Sequence, residues 1–425
     1  MCEVKTMREL AESGAKWIGK VPASWGVDKL KYHLYRSEPR NPGDKVVLSL
    51  YRELGVIPKD SRDDNYNVTS EDTSKYKYVR PGDFVINKMK AWQGSVAVSD
   101  YEGVVSPAYY VYHFSDDLFS KRYFHYLLRS CYKAEFMRLS GGIRVGQWDL
   151  PAEALDNVLV LIPPREEQER IAFFLDQKCE EIEDIVEELG VQVDTLEQYK
   201  RSLIIETVLR GIDKTAEWKD SGISYVGNIP KKWNVHPVYY YFRERKNTNI
   251  LGNEQNLLSL SYGKIIRKDI NTSEGLLPES FNTYNIIEAG DVVVRPTDLQ
   301  NDKRSLRTGL STERGIITSA YIALQPIRQV NSAYFQYLLH AFDLMKVFYN
   351  MGNGVRQGLS YPEFSKLLVL EPSLEEQKRI VDYLFMRCGE IDAIIAEMNE
   401  QMAILDEYKK SIIFEYVTGK KEVRV

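Results

Sequence analysis

The chain is written twice. Ser13-Gly14 and Trp17-Ile18-Gly19-Lys20-Val21-Pro22-Ala23-Ser24-Trp25 return 208 positions later as Ser221-Gly222 and Tyr225-Val226-Gly227-Asn228-Ile229-Pro230-Lys231-Lys232-Trp233. Pro81-Gly82-Asp83-Phe84-Val85-Ile86 returns as Ala289-Gly290-Asp291-Val292-Val293-Val294, and Tyr123-Phe124-His125-Tyr126-Leu127-Leu128 as Tyr334-Phe335-Gln336-Tyr337-Leu338-Leu339. Gly142-Ile143-Arg144 matches Gly354-Val355-Arg356, and Glu166-Glu167-Gln168-Glu169-Arg170-Ile171 matches Glu375-Glu376-Gln377-Lys378-Arg379-Ile380. A unit repeated in this order must fold twice, and each copy is long enough to bury a core of its own.

Similarity is uneven within the unit. The stretch from the opening motif to Pro81, and the loops after Ile86 and Val294, differ almost completely between copies. A common frame carrying divergent inserts is what two readers of different targets require. The ends of the units agree best and read as long helices. Leu175, Ile182, Leu189, Leu196 and Leu203 recur every seven residues, as do Leu384, Ile391, Met398, Leu405 and Ile412. Ile185 with Ile394, Gln192 with Gln401 and Tyr199 with Tyr408 are the expected second line of the seam. Five heptads with charged flanks predict a coiled coil. Pro163-Pro164 and Pro372-Ser373 mark the starts, with Ser373 and Glu376 at capping-box spacing, and Gly211 and Gly419 mark the ends. A reader of ordinary domain size between the helices lets the chain return, so antiparallel pairing with approximate two-fold symmetry is expected.

The predicted fold class is α+β: two tandem α+β recognition domains, each followed by a long helix, the helices pairing as an antiparallel coiled coil. Expected boundaries are 1–163 and 212–372 for the domains, 164–211 for the first helix, and 373–425 for the second helix and tail. Strands are predicted at 46–50, 84–86, 96–98, 109–112 and 158–162, and helices near 118–139 and 333–351.

Charge separates these parts. The net charge of −5 hides values of +4, −9, +4 and −4 for residues 1–150, 151–212, 213–366 and 367–425. The readers are basic and the helices acidic, so the readers are the parts able to approach phosphate. The start of the chain lacks an apolar stretch of signal-peptide type, and no run is long enough to span a membrane. Cys2, Cys131, Cys179 and Cys388 are scattered, which argues against a zinc site and fits a reducing cytoplasm.

Catalytic motifs are lacking. Gly14-Ala15-Lys16-Trp17-Ile18-Gly19-Lys20-Val21 resembles a phosphate-binding loop but has no closing Ser or Thr, and its repeat lacks the lysine too. It is read as an entry turn packed by Trp25 and Trp233. His33, His113, His125, His236 and His340 share no repeat position and no ligand spacing. Cys179 and Cys388 are equivalent and read as packing residues. No Asp-Pro-Pro-Tyr or Asn-Pro-Pro-Phe loop and no repeated acidic cluster is present. Neither a catalytic residue nor a metal site is expected.

Two loop families remain for nucleic-acid contact. One is 140–147, with Gly142, Arg144 and Gln147, and its counterpart 351–358, with Asn353, Arg356 and Gln357. Glycines let a backbone approach phosphate, while Arg and Gln can bond base edges bidentately. The other family is 87–93, with Lys88, Lys90 and Trp92, and 295–304, with Arg295, Lys303 and Arg304. A surface turn before a strand is the alternative for the first family, and a solvated loop for the second.

This architecture resembles the specificity (S) subunits of type I restriction–modification systems over essentially the whole chain. The carrying features are the Trp25 and Trp233 openings, the Pro-Gly-Asp turn, the Gly-x-Arg loops and the Pro-x-x-Glu-Glu-Gln helix starts. The resemblance implies that each domain reads one half of a split site in double-stranded DNA. It also implies that the heptad residues organise docking of two methyltransferase (M) subunits, with restriction (R) subunits as further partners. It implies no cofactor in this chain, with S-adenosylmethionine on the M subunits. Two rival readings are a protein-only coiled-coil scaffold with two adaptor domains, and a self-sufficient methyltransferase. DNA binding by the assembled complex separates the first, and failure to bind S-adenosylmethionine alone removes the second.

Overall fold

The computed structural model describes residues 8–52, 54–61, 72–142, 148–271, 280–297, 299, 306–351 and 358–423. The chain divides into two compact units, Met1–Leu189 with Glu400–Val425, and Gly190–Asn399. The division falls inside both long helices, so neither helix belongs to one unit alone. The expected boundaries treated each helix as a segment of its own.

In the first unit a four-stranded antiparallel sheet has the order Leu34–Arg36, Tyr109–Phe114, Phe84–Asn87, Val96–Val98. The second unit repeats it as Phe242–Glu244, Ile322–Pro326, Val292–Val294, Thr308–Leu310. Phe84–Ile86 and Val292–Val294 are apolar throughout because both faces are covered. Phe84 and Ile86 enter the main core while Val85 enters a smaller one with Leu48, Val79 and Val111. Val292, Val294 and Val293 divide in the same way. The alternation is the period of a strand lying between two cores. Small antiparallel pairs surround each sheet, among them Gly26–Lys29 with Leu159–Ile162 and Asn234–Pro237 with Leu368–Glu371. They join the start of each reader to the strand that precedes its long helix.

The predicted helix near 118–139 is two helices, Lys121–Cys131 and Lys133–Leu139, broken at Tyr132. Tyr132 is fully buried and its hydroxyl donates to Leu159 O at 2.8 Å, so packing overrides helical continuity there. Its counterpart is Ser332–Leu344, with Asn331 as N-cap, followed by a short 3₁₀ turn at Val347–Asn350.

The long helices run Arg165–Arg210 and Leu374–Val417, as the flanking prolines and glycines predict. The repeated Glu-Glu-Gln motif has a structural cause. Gln168 is buried, donates to Pro163 O at 2.8 Å and Leu118 O at 3.0 Å, and accepts from Ser120 N at 2.7 Å. Gln377 makes the matching bonds to Pro372 O and Asn331 N, both at 3.0 Å. Each glutamine thus staples a helix start to its reader. At the far ends, Tyr123 donates to Val417 O at 2.9 Å in the first unit, and Tyr334 to Val208 O at 3.4 Å in the second.

Within each unit the two helical segments run antiparallel. In the first, Phe174 lies against Tyr416 with ring centroids 4.5 Å apart, and Glu183 pairs with Lys409. In the second, Lys200 pairs with Asp392, and Gly211 lies beside Glu376. Leu175, Ile182, Leu203, Leu384, Ile391 and Ile412 are buried, and Leu189, Leu196, Met398 and Leu405 half-buried, so the heptad line is the packing line.

The second line of the seam differs from expectation. Ile185 and Ile394 are 46% and 44% exposed, and Tyr199 and Tyr408 are 48% and 52% exposed. The covered positions lie four residues after each heptad residue: Cys179, Val186, Val193, Lys200 and Thr207 in one helix, Cys388, Ile395, Met402 and Lys409 in the other. Two lysines on this line keep their stems along the helix while their ammonium groups reach Asp392 and Glu183.

Candidate nucleic-acid interface

Each reader holds its loops on a turn of one design. Gly82 and Gly290 take φ of 90° and 91°, a conformation open to glycine at little cost. The next residue, Asp83 or Asp291, is buried and accepts a backbone N–H across the turn, from Arg80 at 2.7 Å or Glu288 at 2.9 Å. The cation beside it differs. His113 meets Asp83, whereas Arg245 grips Asp291 with two bonds, that from Nη2 at 3.0 Å. Burial raises the Asp83 carboxyl above its ordinary range, against the pull of the Arg80 N–H and His113.

In the first unit the strand Phe84–Asn87 delivers the 88–94 loop, and the structure joins it to the loop that begins at Gly142. Leu150 N donates to Lys88 O at 3.0 Å, while Gly141 and Asp149 exchange backbone bonds at 3.1 and 2.9 Å. The Lys88 ammonium donates to Asp149 at 2.8 Å, which raises its pKa. Trp92 faces Trp148 with ring centroids 5.6 Å apart and donates to Met89 O at 3.2 Å. The bases of the two loop families expected to touch nucleic acid are therefore tied together.

The second unit keeps the tie and changes the support. Leu359 N donates to Pro296 O at 2.9 Å, the counterpart of the Leu150–Lys88 bond. Here the loop is longer and its two ends are clamped from inside. Arg307 is fully buried and its Nη1 donates to Thr297 O at 2.5 Å, across the loop base. Its backbone N–H donates to Asp343 Oδ2 at 2.9 Å, and Nε lies 3.8 Å from Oδ1 of that carboxylate. Leu299 is buried in the core beside it.

Of the site residues expected from sequence, Gly142 and Lys90 are exposed, Trp92 and Arg295 are half-buried, and Lys88 is committed to Asp149. Arg144, Gln147, Lys303, Arg304, Asn353, Arg356 and Gln357 lie outside the described residues. Trp148, Asp149, Arg307 and Asp343 were not singled out by sequence. For Trp148 and Asp149 the signal was the matching leucine after each glycine loop, Leu150 and Leu359, which reports the tie between loops; Arg307 and Asp343 had none.

The remaining candidates are packing features. Ala15, Ile18 and Val21 of the Gly14–Val21 segment, and Trp25 after it, are core residues. Cys179 and Cys388 are buried thiols whose pKa burial raises. Among the described residues no group of three His, Cys, Asp or Glu side chains could hold a metal ion, and no helix is long and apolar enough to cross a membrane.

Comparison with known proteins agrees with this architecture. Residues 33–190 match the family model for the type I restriction modification DNA specificity domain. Over 440 residues, and 96% of both chains, the protein is 23% identical to the putative type I restriction enzyme MjaX specificity subunit of Methanocaldococcus jannaschii. Two solved structures share the fold. One is a chain from work on complex assembly and conformational transition of the type I R-M system (TM-score 0.70, 14% identity, 94% of this chain and 99% of that one). The other is the HsdS subunit from Thermoanaerobacter tengcongensis (TM-score 0.54, 16% identity, 94% and 98%). The first unit thus carries a type I restriction modification DNA specificity domain whose frame the second unit repeats, and over its whole length the chain is similar to a specificity subunit of a type I restriction enzyme.

Proposed function

We propose that each unit reads one half of a bipartite, asymmetric site in double-stranded DNA, through the surface that the two tied loops form. The observation that carries this is the repeated bond between loops, Leu150 N to Lys88 O and Leu359 N to Pro296 O, on frames whose loop sequences differ. A shared brace with divergent loops suits two readers of different half-sites. The chain contributes no catalytic group; methyl transfer belongs to two M subunits that carry S-adenosylmethionine, and cleavage to R subunits. The complex works in the cytoplasm.

The long helices are the docking surface for the M subunits. Ile185 with Ile394 and Tyr199 with Tyr408 are repeat equivalents turned outward, so the same apolar contact is offered once per half. The test is binding of methylation-mapped duplexes by the M–S complex. Each phosphate contact adds about 0.9 to the slope of log K against log salt. Arg144→Ala and Arg356→Ala each weaken one half-site by about 1–3 kcal/mol while the melting temperature holds. A flat salt response together with indifference to sequence overturns the reading.

A further inference from the structure

Beside each loop surface stands a hairpin that the loops do not account for. In the first unit it is Leu48–Tyr51 with Gly55–Pro58, in the second Leu258–Ser261 with Lys264–Arg267. The two are equivalents. Their first strands share Leu-Ser-Leu, and each ends with the same bond at 2.8 Å, Lys59 N to Val47 O and Lys268 N to Leu257 O. Each hairpin also lies on the strand that follows the reading loop. A Cβ on Gly55 would meet Ala97 at 3.5 Å, and one on Gly309 would meet Leu260 at 2.6 Å and Ile265 at 3.2 Å.

The tips differ where the bases agree. In the first unit Arg52 bonds Gln93 of the 88–94 loop. In the second, Ser261 pairs with Lys264, leaving the two-residue loop Tyr262-Gly263 with φ of 45° and 77°. Such a turn favours Asn or Asp before the Gly, because a bulky side chain at positive φ is strained. Tyr262 nevertheless occupies it, is 83% exposed, and makes no hydrogen bond or ring contact among the described residues. A Cβ on Gly263 would lie 3.3 Å from Leu306, so the tip stands at the end of the 296–306 loop. Lys264 and Lys268 are exposed on the outer face of the same hairpin, without an ion-pair partner among the described residues.

We propose that the hairpin is a second DNA-reading element of each unit, and that Tyr262 packs its ring on the sugars and base edges of the second half-site. This rests on reading the second unit as a DNA reader. A strained backbone that displays an unsupported ring beside the reading loop is explained by a partner, and the flanking lysines suit phosphate. A conserved base with a variable tip is the arrangement already seen in the loops.

The test uses the full chain with its M subunits and a duplex carrying the methylation-mapped site. Tyr262→Gly removes both ring and strain. The expected result is an unchanged or higher melting temperature with about tenfold weaker binding, the order of one lost base-pair contact. Discrimination at the first half-site stays intact, and Tyr262→Phe binds as the parent does. Lys303→Ala/Arg304→Ala is the control for the underlying reading. Weaker binding by that control with unchanged binding by Tyr262→Gly overturns the role of Tyr262 and leaves the reader in place. Unchanged binding by both overturns the two together. A loss of affinity that comes with a lower melting temperature makes Tyr262 structural and also overturns the proposal.

Discussion

The two units share strands, turns and helix staples, yet they brace their reading loops by different physics. The first uses the partly exposed pair Lys88–Asp149 and the Trp92–Trp148 contact. The second places Arg307 and Asp343, 0% and 1% exposed, beneath a longer loop. Their repeat counterparts, Ser95 and Tyr132, carry no charge. Divergence between readers therefore reaches below the surface: a change of loop brings its own support into the core. The frame tolerates this because its sheet order and helix staples do not pass through those positions.

The largest expected effect comes from separating the halves. In the first unit the core is completed by Ile412, Ile413 and Val417. Their equivalents in the first helix are Leu203, Ile204 and Val208, nearly the same apolar surface. A 1–212 fragment lacks the former and carries the latter, so it is expected to homodimerise, each copy completing the other. With M subunits it should methylate an inverted repeat of one half-site. Sedimentation showing a folded monomer, or methylation of an asymmetric site, would break the equivalence of the units.

The loop braces give the next contrast. Asp343→Ala leaves a guanidinium buried without its carboxylate and is expected to cost about 3–5 kcal/mol. Asp149→Ala frees a lysine that can turn to solvent and should cost less than about 1 kcal/mol. Urea titration followed by amide exchange in Val292–Val294 and Phe84–Asn87 assigns each loss to its unit. Equal losses would mean that burial does not distinguish the two braces.

Much of this fold was legible in sequence because its determinants are local. Prolines and glycines set the helix ends, and continuous apolar triplets set the central strands. The heptad line was equally plain, but its partner line was not. Residues three and four after a heptad leucine are both available to a partner helix. Hydrophobicity favours Ile185 and Tyr199, whereas the chain covers Cys179, Val186 and Lys200. A lysine satisfies such a position only through a carboxylate on the other helix, which no single-helix pattern reveals. Of the hairpins only the strand at 46–50 was expected, for a related reason. Little beyond Leu-Ser-Leu and a later Ile-x-Lys-Asp survives between copies, and the turns differ in length. The Arg307 clamp depends on Asp343 from a separate helix, so it has no local signature.

Both units should also weaken in mild acid, at positions that are not repeat equivalents. Burial, aided by Arg129, lowers the His125 pKa to about 4, and burial with Lys200 and Arg201 lowers that of His340 to about 4. The unfolded chain protonates near the ordinary value of 6.5, so between 6.5 and 4 it binds more protons than the folded one. Stability is thus fully present above about pH 6.5 and falls as pH drops toward 4, by about 3 kcal/mol per histidine. His125→Gln and His340→Gln should each flatten the profile of their own unit. A pH profile unchanged by either variant would exclude these histidines as the cause.

The smallest effect is expected at the turn carboxylates, where the same buried aspartate meets two different cations. An asparagine at 83 or 291 keeps an oxygen for the backbone N–H of Arg80 or Glu288. Its amide then faces His113 or Arg245. A neutral imidazole can accept from that amide through Nδ1, whereas a guanidinium has only donors. Asp83→Asn should therefore cost less than about 1 kcal/mol. Asp291→Asn sets donor against donor beside Arg245, which is only 15% exposed, and should cost about 2 kcal/mol. Amide exchange at Phe84–Asn87 and Val292–Val294 reads the two turns separately. Were Asp83→Asn the more damaging change, the imidazole would not be accepting from the amide, and the units would differ in residue but not in the hydrogen bonding of the turn.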